Sequence, residues 1–72
     1  MEEQDIAKEI IKQQRGSVIL LEAYEAIERD EAEKTEDATM KSQRIVNADS
    51  YMEQAEKNRL IISKIVEKYG IR

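Results

Sequence analysis

Apolar residues recur at alternating intervals of three and four along most of this chain, and nothing breaks the run they describe. From Ile45 the series is Ile45, Ala48, Met52, Ala55, Arg59, Ile62, Val66 and Tyr69, a heptad seam with one polar interruption at Arg59. That spacing stacks side chains on one face of an α-helix, whereas a half-buried strand needs a period of two. A flanking row of Tyr51, Leu60, Ile61 and Ile65 widens the face. The 72 residues include no proline and only two glycines, so no residue between Gly16 and Gly70 forces a helix to stop. Ala, Glu, Lys, Gln and Leu favour helix intrinsically. Ile and Val suit either structure, and there the periodicity decides.

The first half carries two such rows side by side. Ile6, Ile10, Gln13, Ser17, Leu20, Tyr24 and Ile27 form one; Ala7, Ile11, Gln14, Val18 and Leu21 form the other. Together they exceed a strict coiled-coil seam, a width suited to a helix with more than one neighbour. Gly16 costs about 1 kcal/mol inside a helix relative to Ala. The row resumes in phase at Leu20, which favours a helix running through Gly16 over a break capped by Ser17.

Both rows stop near Arg29. The spacing therefore predicts a single domain with one helix over about 3–29, a connection over about 30–37 and a second helix over about 38–69. One helix running straight through is the alternative, because neither Gly nor Pro marks the turn. Asp30 and Glu33 have capping-box spacing, and Thr35 and Asp37 are rival caps for the second helix. Gly70 stands where a left-handed residue closes a helix, with Ile71 placed to fold back on Val66.

Charge divides with the halves. Residues 1–40 hold five basic and twelve acidic side chains, net −7; residues 41–72 hold seven and four, net +3. An antiparallel hairpin brings the opposite signs together, although each exposed pair contributes only about 0–1 kcal/mol. A hairpin centred near Glu33 pairs positions whose numbers sum to roughly 68, setting Gly16 and Ser17 against Tyr51 and Met52, and Leu20 against Ala48. Gln13 and Gln14 then fall near Ala55 and Arg59 as a polar layer. Arg59 either snorkels to the edge or fixes register by meeting those glutamines or a carboxylate of a neighbouring chain.

A single hairpin leaves apolar rows uncovered, and a chain this short rarely buries enough core to stand alone. The fold expected is all-α: an antiparallel helical hairpin dimerising into a four-helix bundle. Its oligomer seam is Ile6, Ile10, Leu20, Tyr24 and Ile27 from the first helix, with Ile45, Ala48, Met52, Ala55, Arg59, Ile62, Val66 and Tyr69 from the second.

Several chemistries are closed off by composition. Without Cys there is no disulfide, thiolate nucleophile or Cys-type zinc site, and without His the commonest general base and metal ligand is gone. Glu22, Glu25 and Glu28 resemble half of a carboxylate metal box but lack the Glu-x-x-His elements such sites need. The acidic run from Asp30 to Asp37 lacks the glycine and alternating ligands of a calcium loop. Both sets are read as solvated surface. Gly16 is isolated, so no phosphate-cradling loop can form. No catalytic, cofactor-binding or metal-binding residue is expected, and the chain is read as a non-enzyme.

The longest apolar run, Val18, Ile19, Leu20 and Leu21, falls far short of the ~20 residues of a membrane span. The acidic opening differs from the basic start of a secretory leader. The expectation is a soluble, cytoplasmic protein with no membrane contact. Lys57, Lys64 and Lys68 form a shallow basic strip, but the net charge of −4 and a pI near 4.9 weigh against nucleic acid.

The function expected is that of a protein-interaction module: a small acidic intracellular regulator, inhibitor or adaptor, of a kind that phages and mobile elements encode. Two surfaces suit a protein partner. Glu31, Glu33 and Glu36 offer negative charge to a basic surface, and Tyr51, Ile61 and Ile65 offer an apolar docking face. The alternative is a nucleic-acid-binding hairpin dimer that uses the basic second helix.

Overall fold

The computed structural model describes residues 2–71. Two helices of equal length, α1 (Glu3–Lys34) and α2 (Ala38–Tyr69), run antiparallel and are joined by Thr35, Glu36 and Asp37. The hairpin measures 53 × 15 × 14 Å, one helix pair across with no further layer among the described residues.

α1 passes through Gly16 unbroken, and Gly70 is the only described residue with positive φ. The helix also continues to Lys34 instead of ending near residue 29. Ala32 is buried at 3% exposure, and Lys34 pairs with Asp30 one turn back at 2.9 Å, so the extra turn has both packing and a charge pair. Asp30 and Glu33 therefore lie inside α1 and form no capping box. Thr35 ends the helix with extended backbone, its hydroxyl donating to the Glu31 carbonyl at 2.6 Å.

Of the two rival caps, Asp37 holds the start of α2. Its side chain accepts from the Met40 N–H at 2.9 Å, satisfying one of the free donors of the first turn. At the far end Gly70 adopts the left-handed conformation (φ 63°, ψ 33°), and the Ile71 N–H donates to the Val66 carbonyl at 3.2 Å. This is the six-to-one bond of a Schellman ending. It folds Ile71 into a buried cluster with Ala7 and Ile11, against which Ile62, Ile65, Val66 and Tyr69 pack.

The two helices meet along a strict heptad seam. On α1 it runs Ala7, Ile11, Gln14, Val18, Leu21, Glu25, Glu28 and Ala32, all buried or half-buried. On α2 it runs Arg44, Ala48, Tyr51, Ala55, Asn58, Ile62, Ile65 and Tyr69, flanked by half-buried Asn47 and Val66. The second of the two sequence rows thus holds α1 to α2. The first row, Ile6 to Ile27, lies at the edge of that contact, where its Tyr24 packs on Tyr51.

The register also differs from one centred on Glu33. The turn centres on Glu36, so pairings shift along α2 by one to two helical turns. Tyr51 meets Tyr24, with ring centroids 5.4 Å apart and tilted by 44°, and Ser17 is exposed instead of facing Met52. Gln4 Nε2 donates to the Tyr69 carbonyl at 3.0 Å and closes the open end. The shift follows from the longer α1, which moves the point of reversal toward α2.

The core is thin. Its buried residues are Ala7, Ile11, Val18, Ala32, Ala48, Ala55 and Ile71, and none of the larger side chains is fully enclosed. Alanine at 48 and 55 lets the backbones approach closely, at 0% and 1% exposure, but contributes little apolar area.

Candidate functional site

Two edges flank the seam, and they differ in chemistry. One edge carries ion pairs. Arg29 Nη2 bonds Asp49 at 2.9 Å while its Nε bonds Glu25 at 2.9 Å, and Arg59 bonds Glu22 across the helices. Hydrogen bonds to Asp49 first and Glu25 second raise the Arg29 pKa above its ordinary value. Further along the same edge, Lys8, Lys12 and Arg15 line an open groove of about 320 Å³ with Ile11, Val66 and Ile71.

The carboxylate series Glu22, Glu25 and Glu28 is explained by these contacts. Each has its own arginine: Arg59 for Glu22, Arg29 for Glu25, and Arg44 at 3.7 Å for Glu28. Asn47 Nδ2 also donates to Glu28 at 3.5 Å, and the Arg44 Nε is buried without a hydrogen-bond partner. Glu28 and Arg44 both occupy seam positions, so a half-buried charge pair specifies register near the turn. Arg59 lies instead at the edge, exposed, and meets a carboxylate of its own chain. Gln13 and Gln14 are not its partners in any hydrogen bond of the structure. No group of three metal-ligating side chains occurs among the described residues.

The other edge is apolar. Ile6, Ile10, Leu20, Tyr24 and Ile27 follow one another at helical spacing on α1 and remain between 40% and 57% exposed. At the open end this row borders a groove of about 360 Å³ lined by Glu3, Ile6, Ala7, Ile10, Ile65, Lys68 and Tyr69. Lys68 Nζ sits 5.4 Å from the centre of the Tyr69 ring. Lys57 and Lys64 lie in helical phase with Lys68 and are exposed.

The remaining seam residues proposed from sequence divide between these environments. Ala48 and Ala55 are buried; Ile62, Val66 and Tyr69 of α2 are half-buried against α1; Ile45 and Met52 are exposed beside the ion pairs. Met52 Sδ accepts from Arg29 at 4.0 Å. Of the residues proposed for partner docking, Ile61 is exposed, while Tyr51 and Ile65 are half-buried seam residues. Glu31 is half-buried in the last turn of α1, Glu33 is exposed two residues before the connection, and Glu36 is exposed within it. Glu31 and Asp30 act on Lys34, whose pKa is raised chiefly by its hydrogen bond to Asp30.

Among the described residues no helix is long and apolar enough to cross a membrane. Comparison with protein families, with characterised proteins and with solved structures finds no match to this chain.

Proposed function

We propose that this chain is a non-catalytic protein-interaction module, a small acidic regulator, inhibitor or adaptor that works as a homodimer in the cytoplasm. The observation that carries the reading is the uncovered row on α1, with five large apolar side chains 40–57% exposed on a hairpin whose own core is mostly alanine. From Ile6 to Ile27 the row runs about 32 Å at 1.5 Å per residue, long enough for a helix to pack along three heptads. Covering it supplies the apolar burial that one hairpin lacks. The acidic end of α1 and the turn, Glu31, Glu33 and Glu36, then remain free for a basic protein surface.

Sedimentation equilibrium at micromolar concentration tests the assembly. Twice the 8.4 kDa chain mass is expected, with a melting temperature that rises with protein concentration. A fully folded monomer across that range removes the reading.

The exposed strip of Lys57, Lys64 and Lys68 favours a second reading, a nucleic-acid-binding hairpin dimer. Titration with generic duplex DNA and RNA at low and high salt separates the two. Binding that weakens steeply with salt supports nucleic acid; no binding at low salt leaves the protein-partner reading.

A further inference from the structure

We infer that the charged edge carries a docking surface opposite in sign to the acidic turn, and that its occupant is an acidic helical segment of a partner protein with one large apolar side chain at its end. The surface is the stripe Lys8, Lys12, Arg15 and Ile19, whose spacing sets all four on one side of α1. The inference does not depend on how the apolar edge is covered.

The cations fix the sign of the occupant. Arg29, Lys34, Arg44 and Arg59 each pair with a carboxylate of the chain, whereas Lys8, Lys12 and Arg15 are exposed and take part in no ion pair among the described residues. Carboxylates are close at hand in the sequence. Asp5 and Glu9 stand three residues before Lys8 and Lys12, a spacing that allows pairing, yet neither closes on its lysine. The acidic end of α1, from Glu31 on, is about 24 Å or more from Arg15 along the helix. That is well beyond the screening length of about 8 Å at physiological salt. Three unanswered positive charges within about 10 Å of helix therefore face outward, complementary to an anionic partner.

The apolar lining fixes its class. Lys8, Lys12 and Arg15 border the groove of about 320 Å³ that holds Val66 and Ile71. An adjoining groove of about 430 Å³ shares Arg15 and continues past Ile19 to Ile62, Ser63 and Arg59. Ile19 is 70% exposed, more than any other large apolar side chain among the described residues. A nucleic-acid backbone has no apolar group to set against Ile19, and no aromatic side chain lines either groove for a base to stack on. A helix with Glu at i, i+4 and i+7 and Leu at i+11 meets the cations and Ile19 together. The intervals four, three and four are the same in reverse, so a helix with Leu first suits the opposite direction.

Two labelled synthetic helical peptides of these patterns, one with Leu last and one with Leu first, are the probes. Fluorescence anisotropy with the full chain should give one of them a Kd of about 100 μM or tighter. Lys12→Gln with Arg15→Gln should weaken it about tenfold or more, and Ile19→Ala by a similar factor. Lys57→Gln with Lys64→Gln, on α2 away from both grooves, should leave it unchanged. All these side chains are exposed, so circular dichroism should show the hairpin intact. If the first double change unfolds it, Lys8→Gln makes the same test. No binding by either peptide, or binding that survives both the charge and the Ile19 changes, overturns the inference. Equally tight binding of peptides with Ala in place of Leu overturns it too, as does tight binding of a single-stranded oligonucleotide that Ile19→Ala leaves unchanged, because the edge is then a general polyanion surface.

Discussion

The two edges of the hairpin are built from the same two helices, yet one is crossed by ion pairs and the other carries a row of large, exposed apolar side chains. On the charged edge, Glu22, Glu25 and Asp49 are answered by Arg59 and Arg29 within the chain. Water and counter-ions can solvate whatever is left there. On the apolar edge, Ile6, Ile10, Leu20 and Ile27 stay 40–57% exposed, and Tyr24 stays 43% exposed although its ring meets Tyr51. Water disfavours each of these by roughly 25 cal/mol for every Å² it leaves exposed. Gln13 and Ser17 divide this row into two apolar patches, and these are the surface on which the proposed self-association rests. The contrast also assigns different kinds of effect to different edges: small, local and salt-dependent on one, concentration-dependent on the other.

The largest expected effect comes from breaking what the edges share. Ala48 is fully buried, and Ala48→Glu places a carboxylate between the helices with no partner at hand. The loss should be about 3 kcal/mol or more, enough to unfold a chain with so thin a core. A circular dichroism melt reads it directly. A near-native midpoint would mean that the seam is not where the helices are held.

Next in size is a pair of substitutions that sets one edge against the other. Leu20→Asp should leave the hairpin helical but weaken self-association, by about 2 kcal/mol, because Leu20 is half exposed in the monomer. Ile19→Asp, one residue away and 70% exposed, should change the dimer far less. Dilution series followed by sedimentation compare the two. Equal effects would erase the distinction between the edges.

On the charged edge, Arg59→Gln removes an exposed pair with Glu22. The cost should lie within about 1 kcal/mol and shrink as salt is added. Chemical denaturation at low and high ionic strength measures both. A larger, salt-independent loss would show that the edge is part of the folding core.

The smallest effect concerns pH. The folded-state pKa values of Arg29 and Lys34 are raised, so any stability they contribute is fully present below their unfolded values and is lost only as pH rises through the folded ones. Both unfolded values lie above about 10. With no histidine in the chain, the melting midpoint should be nearly flat from pH 7 to pH 9. A change of several degrees in that window would require a titrating group that these contacts do not contain.

Helical class, hairpin order and the ending at Gly70 were legible in the residues. Spacing by three and four, the absence of proline and a glycine before Ile71 are local signals, and a helix is a local structure. The end of α1 was less legible. The apolar rows stop near Arg29, but the helix continues because Ala32 is buried in the hairpin and Lys34 finds Asp30. Glu25 pairs with Arg29 four residues on in the same helix, a local spacing, but Glu22 and Glu28 could not be read correctly alone, since their arginines, Arg59 and Arg44, lie on the other helix and depend on how the two align.

By itself, then, the amino-acid order determined that the chain is two amphipathic helices with more apolar stripe than one hairpin needs. It also set the opposed charge of the two halves. Tertiary structure alone decided which of the two α1 rows closes on α2, because adjacent rows differ by a rotation of about 100° about the helix axis, and periodicity is indifferent to that rotation. It decided the register as well, through the three-residue turn at Thr35–Asp37, the half-buried Glu28–Arg44 pair and the alanines at 48 and 55. Those are contacts between residues far apart in sequence, and their geometry exists only once the helices have met.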